Sequence, residues 1–83
     1  MKGPAMLNIK ILGSGCANCK RLEAVTRKVA ADLGLDAEFE KVTEYADIMK
    51  YPILATPGLV VNEKLVSAGR IPSEEQIAAW LKA

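Results

Sequence analysis

Cys16 and Cys19 are the only cysteines in a chain of 83 residues, and they lie three residues apart in the stretch Gly13-Ser14-Gly15-Cys16-Ala17-Asn18-Cys19-Lys20. A thiol attacks a disulfide, or binds a soft metal, only as the thiolate, so the chemistry turns on what lowers its pKa. Cys16 falls where an apolar run has ended, glycines turn the backbone and a helical pattern begins. The first turn of a helix presents unpaired backbone N–H groups and the positive end of the dipole to such a sulfur. In that setting a cysteine pKa drops from about 8.5 to roughly 3.5–7.5, which makes thiolate available near neutral pH. Cys19 follows at the i+3 spacing that brings two side chains together on a helix. The pair can therefore close into a disulfide and reopen without unfolding the chain. His is absent, which removes the commonest general base and the commonest nitrogen ligand for a metal.

The elements that must hold these sulfurs can be read from hydrophobic periodicity. Residues 6–12 alternate Leu7, Ile9 and Ile11 against Asn8 and Lys10, the pattern of a half-buried strand. From about 17 to 33, Cys19, Leu22, Val25, Val29 and Leu33 recur at three and four, predicting a helix of about four turns with Gly34 as its C-cap. A second strand over 35–42 places Leu35, Ala37, Phe39 and Lys41 on one side and Asp36, Glu38 and Glu40 on the other, with Val42 out of register. Thr43 is positioned to cap a short helix across 44–50, with Tyr45, Ile48 and Met49 inward, until Tyr51-Pro52 stops it. Leu59-Val60-Val61 and Leu65-Val66-Ser67-Ala68, joined by Asn62-Glu63-Lys64, predict an antiparallel hairpin. Glu disfavours positive φ, so its loop is expected to run one or two residues longer than the tightest turn. Ser73 and Gln76 form a capping box, with Glu74 and Glu75 complementing the dipole of a last helix whose apolar face carries Ile77, Trp80 and Leu81.

The order is β-α-β-α-β-β-α, an α/β fold. The first two strands, joined by a crossover helix, are expected to be parallel, and the hairpin to extend one four-stranded mixed sheet flanked by helices on both faces. A chain of this length supports one core, so residues 1–83 are expected to form one domain, with 1–5 a flexible leader. Net charge is +1 and no basic cluster interleaves with the four aromatics, which excludes a nucleic-acid footprint. The apolar stretch near the N-terminus is too short for a signal or a membrane span, so a cytoplasmic protein without a membrane partner is expected. In that reducing compartment a lone cysteine pair is catalytic, redox-sensing or metal-binding rather than a permanent staple.

A Cys-x-x-Cys after the first strand and Thr56-Pro57 opening a late hairpin resemble the thioredoxin fold over about residues 6–82. The run Gly13 to Cys19, the Leu33-Gly34-Leu35-Asp36-Ala37-Glu38-Phe39-Glu40-Lys41 segment and Thr56-Pro57-Gly58-Leu59 are similar to the small glutaredoxin-sized members, sometimes called redox-active disulfide proteins. The resemblance implies a thiol–disulfide oxidoreductase in which Cys16 attacks and Cys19 resolves. It also implies a cis peptide bond before Pro57, and a Thr56 backbone that pairs with an extended substrate segment. Gly15, Ala17 and Asn18 would complete the substrate surface around the sulfurs. The partners implied are disulfide-containing proteins and a reductase, either a flavoprotein or a low-molecular-weight thiol, with no bound cofactor. Two features depart from thioredoxins: the only Trp is Trp80, and the strand before the motif offers only Asn8 and Lys10 as polar residues.

Two other readings use the same residues. Heavy-metal-binding domains also place Cys-x-x-Cys between a first strand and a first helix, and two thiolates suffice for Cu(I), with zinc held between two chains. Those domains finish with a helix and a strand, not with a Pro-led hairpin and a capped helix. An adaptor that binds a partner strand at Thr56-Pro57-Gly58, its cysteines incidental, is the third reading.

Overall fold

The computed structural model describes residues 7–13, 15 and 17–82. They form strands β1 (Leu7–Leu12), β2 (Ala37–Val42), β3 (Gly58–Val61) and β4 (Lys64–Ala68) and helices α1 (Ala17–Asp32), α2 (Tyr45–Ile48) and α3 (Glu74–Lys82). The proposed leader, 1–5, lies outside the described residues. The sheet order is β2-β1-β3-β4, with β1 and β2 parallel and the other pairs antiparallel, so the expected mixed sheet is present.

Alternation along β1 divides the interior into two layers. Ile9 and Ile11 face Leu59 and Val61 of β3 together with Leu22, Val29 and Ala30 of α1 and Ile77 and Leu81 of α3. Leu12 faces the opposite way, joining Val42, Val60, Ile48 of α2 and Ile53. Val42 breaks the alternation of β2 because it belongs to this second, smaller layer. Helices therefore cover both faces, α1 and α3 on one and α2 on the other.

The crossover helix ends as its sequence dictates. Gly34 takes φ +67°, its N–H donates to the Ala31 carbonyl at 3.0 Å, and the Leu35 N–H donates to the Ala30 carbonyl at 3.0 Å. This is the Schellman arrangement, which satisfies carbonyls that the helix leaves open. On its inner face Thr26 is fully buried, and its hydroxyl donates to the Leu22 carbonyl at 2.7 Å. Arg27 lies over the Phe39 ring, 4.4 Å from its centroid, tying α1 to β2. At α3 the capping box forms in both directions, Ser73 N–H to Gln76 Oε1 and Gln76 N–H to Ser73 Oγ, each at 3.1 Å.

Two local expectations are corrected. Helix α2 is a single turn whose N-cap is Glu44, not Thr43, and no side chain caps it. Of its three expected inward residues only Ile48 is buried; Tyr45 is 75% exposed and Met49 51%. One turn presents one residue inward, and the second anchor of this segment is Ile53, beyond Pro52. The hairpin turn is also tighter than expected. Val61 pairs with Lys64 across Asn62 and Glu63 alone, which take φ of +50° and +68°. The conformation that Glu disfavours is held by tertiary partners: Lys10 Nζ donates to Glu63 Oε2 at 2.7 Å, and Tyr51 Oη donates to Glu63 Oε1 at 3.0 Å. Asn62 is pinned in turn, its N–H donating to the Asn8 carbonyl at 2.7 Å and its Oδ1 accepting from the Asn8 N–H at 3.0 Å.

Candidate functional site

The end of β1, the start of α1 and the loop before β3 meet at one corner of the sheet. Cys19 is in the first turn of α1, 4% exposed and disulfide-bonded. Cys16, the chain's other cysteine, lies outside the described residues. The first turn of α1 carries no acidic residue, so nothing there offsets the positive end of a helix of 16 residues.

Gly13 is what allows this corner to close. A Cβ at that position would run into Cys19 Sγ, and would stand 3.8 Å from Thr56 Cβ. The space that a side chain at Gly13 would occupy is therefore bounded by both the sulfur and Thr56. The peptide bond between Thr56 and Pro57 is cis; Thr56 is exposed and Pro57 buried. The Pro57 carbonyl accepts from the Gly69 N–H at 2.8 Å, which ties this loop to the end of β4.

Of the residues the sequence singled out, the structure brings Cys19 and Thr56 together around Gly13, with Pro57 next to Thr56 in the chain. Gly15 is exposed at φ +81° and lines a cleft of about 340 Å³ with Gly13 and Cys19. Ala17 and Asn18 are exposed on the first turn of α1 and are not part of that cleft's lining. The cleft carries mixed charge from Lys20, Glu23, Lys41 and Glu44. Glu23 accepts from Arg27 Nε at 2.9 Å and pairs with Lys41 Nζ at 3.4 Å. The Arg27 hydrogen bond, aided by Lys41, holds the Glu23 carboxyl below its ordinary pKa.

Sequence reasoning missed the other side of Thr56. A groove of about 520 Å³ runs along Thr43, Tyr45, Ile48, Met49, Ile53, Leu54, Ala55 and Thr56. Its rim holds Tyr45, Met49 and Leu54, the exposed large hydrophobics among the described residues. An exposed apolar patch on so small a domain marks a contact surface. The signal was present in the sequence as Leu54 after Pro52-Ile53, an apolar residue outside any periodic element. Gly13 was read as a turn, and nothing in a linear sequence marks it as the neighbour of Cys19.

A strand-to-helix cysteine in a four-stranded mixed sheet, set beside a cis-proline loop, defines the thioredoxin class. The chain belongs to the thioredoxin domain family, whose model matches residues 7–82. It is 46% identical over 72 residues to a thioredoxin of Methanothermobacter thermautotrophicus, an alignment covering 87% of this chain and 94% of the relative. It is 37% identical over 78 residues to a thioredoxin of Methanocaldococcus jannaschii, covering 94% of this chain and 90% of the relative. Membership supports thiol–disulfide oxidoreduction as the general activity, with disulfide substrates and a reductase as partners in general terms. It gives no support to the soft-metal reading, and among the described residues no three His, Cys, Asp or Glu side chains converge on a metal position. No described helix is long and apolar enough to cross a membrane.

Proposed function

We propose that the protein reduces or exchanges disulfides in protein substrates through Cys16 and Cys19, acting as a single domain in the cytoplasm. The observation that carries this reading is Cys19 itself: buried, disulfide-bonded and packed at Gly13 near Thr56, a residue that lines the apolar groove. In the reaction the Cys16 thiolate attacks one sulfur of a substrate disulfide, and the other substrate sulfur leaves as a thiolate. Cys19 then loses its proton and attacks Cys16. The second substrate sulfur departs with its electron pair, and Cys16–Cys19 is left oxidised. A flavoprotein reductase or a low-molecular-weight thiol returns two electrons and two protons. The burial of Cys19 fits the resolving role, because an incoming substrate cannot reach it first. The exposed Thr56, at the end of the groove's lining, fits pairing with an extended substrate segment, and Gly15, Ala17 and Asn18, all exposed, fit a surface around the sulfurs.

A redox titration of the metal-free protein in dithiothreitol buffers, followed by alkylation and mass, tests the reading. A reversible two-electron transition between dithiol and intramolecular disulfide is the expected result. Cys16→Ser is expected to abolish disulfide reduction, and Cys19→Ser to accumulate mixed disulfides with substrate. A fully active Cys16→Ser protein would refute the mechanism.

A further inference from the structure

The segment between β2 and β3 is lightly held for the surface it presents. Its only helical turn, α2, lacks a side-chain cap, and it buries Ile48 and Ile53 while leaving Tyr45, Met49 and Leu54 outside. Beside it lies a second cleft, of about 290 Å³, lined by charged side chains that include Glu40, Glu44, Asp47 and Lys50. Lys10 and Tyr51 line this cleft too, while Ile48 and Ile53 pack on Leu12, Val42 and Val60. One side chain bridges from the segment to the body of the sheet: Tyr51 Oη accepts from Lys10 Nζ of β1 at 3.3 Å and donates to Glu63 Oε1 of the hairpin turn at 3.0 Å. Lys10 and Glu63 close the triangle at 2.7 Å, and the Lys10 side chain is only 17% exposed.

We propose that Tyr51, with Lys10 and Glu63, is a latch that sets the position of the groove wall, so that it governs turnover of protein disulfides and not of small ones. Tyr51 is not part of the groove's lining; it is a positioning residue. Two elements distant in sequence, β1 and the hairpin turn, meet at its hydroxyl, and the backbone of each partner is held by the sheet. Lys10 lies on the central strand, and Glu63 is fixed at φ +68° in a two-residue turn. A hydroxyl between two such partners holds a defined position, whereas Ile48 and Ile53, the segment's two buried side chains, are non-directional anchors. A small disulfide needs only the cysteines, but a folded substrate must also fit Tyr45, Met49 and Leu54.

This inference rests on the proposed oxidoreductase reading, and the experiment separates the two. Dithiothreitol-driven reduction of insulin is compared with reduction of cystine for the full chain and for Tyr51→Phe. Loss of the hydroxyl is expected to raise KM for insulin about five- to tenfold and leave cystine turnover within about twofold, on the scale of one hydrogen-bonded hydroxyl. Glu63→Gln keeps an acceptor for the hydroxyl and is expected to retain the wild-type preference, whereas Glu63→Ala is expected to lose it. Glu63→Ala carries the test if Tyr51→Phe does not fold. An unchanged KM for insulin, or equal losses on both substrates, overturns the latch. If the wild type reduces neither substrate, the oxidoreductase reading fails and amide hydrogen exchange over residues 45–54 decides the latch. Exchange about tenfold faster in Tyr51→Phe supports it, and unchanged exchange overturns it.

Discussion

Gly13→Ala is the most informative single substitution at this site, because the atom it adds is placed against one sulfur. The new Cβ would collide with Cys19 Sγ and lie 3.5 Å from Cys19 Cβ and 3.8 Å from Thr56 Cβ. Relief would have to come from Cys19, which is 4% exposed, disulfide-bonded and fixed in the first turn of α1, or from the backbone of β1. Neither is the free end of a flexible chain, and Gly13 at φ +155° shares the backbone strain of the control, so the total reaches the upper end of the overpacking range, about 2–3 kcal/mol. In a domain of this size that lowers the melting temperature by about 10–20 °C. Gly15→Ala is the control, since it has φ +81° but nothing within 4 Å of the added atom. It suffers only backbone strain, about 1 kcal/mol, or about 4–8 °C. Thermal melts followed by circular dichroism, with insulin reduction measured on the same samples, check both. A Gly13→Ala protein that melts no lower than Gly15→Ala and reduces insulin at the wild-type rate would refute the claim that Gly13 makes room for the sulfur.

Three further outcomes are expected. Because Arg27 and Lys41 hold Glu23 below its ordinary value of 4.5, its pairing contributes stability that is full above that value and lost as pH falls through the lower folded value. Melting temperatures should thus drop on acidification below about pH 4.5 in the wild type and drop less steeply in Glu23→Gln, where Glu63, also held low by Lys10 and Tyr51, still titrates; the variant should also be the less stable of the two at pH 7. Leu54, fully exposed on the groove rim, should be replaceable by Asp with a stability change within about 0.5 kcal/mol, while KM for insulin rises; equal KM values would remove the groove from substrate binding. Ser73→Ala, which removes one half of the capping box, should cost about 1 kcal/mol, read as a melting temperature about 4–8 °C lower.

The sheet and both long helices could be read from periodicity, because each buries a continuous face and the pattern carries that face openly. Ile9 and Ile11 against Asn8 and Lys10, or Leu22, Val29 and Leu33 along α1, need no partner to be recognised. Even the misfit of Val42 was visible, and its meaning is the second layer under α2. What failed was structure settled by contacts far away in the chain. Glu63 reads as a poor turn residue until Lys10 and Tyr51 are seen to hold it there. Tyr45 and Met49 read as core because a seven-residue window cannot tell a helix from one turn followed by a loop anchored at Ile53. At the site, the cysteine spacing announced its own chemistry, and the importance of Thr56 and Pro57 came from family resemblance. The place of Gly13 between sulfur and threonine exists only once β1 and the loop before β3 have met.

The order in which the chain is made gives the central position of β1 a further consequence. This strand is translated first, yet Ile9 pairs with both Phe39 and Val61, so half of its backbone partners come from the second half of the sequence. A nascent chain that ends after β2 holds β1, α1 and β2 but leaves one edge of β1 unpaired and Ile9 and Ile11 without Leu59 and Val61. Such a fragment presents an open strand edge beside bare apolar side chains, the combination that invites association with other chains. Thr56, the wall across Gly13 from Cys19, is missing from it as well. The enclosure of that sulfur is therefore completed only in the second half of synthesis, and until the loop before β3 arrives it is covered by α1 and the end of β1 without Thr56.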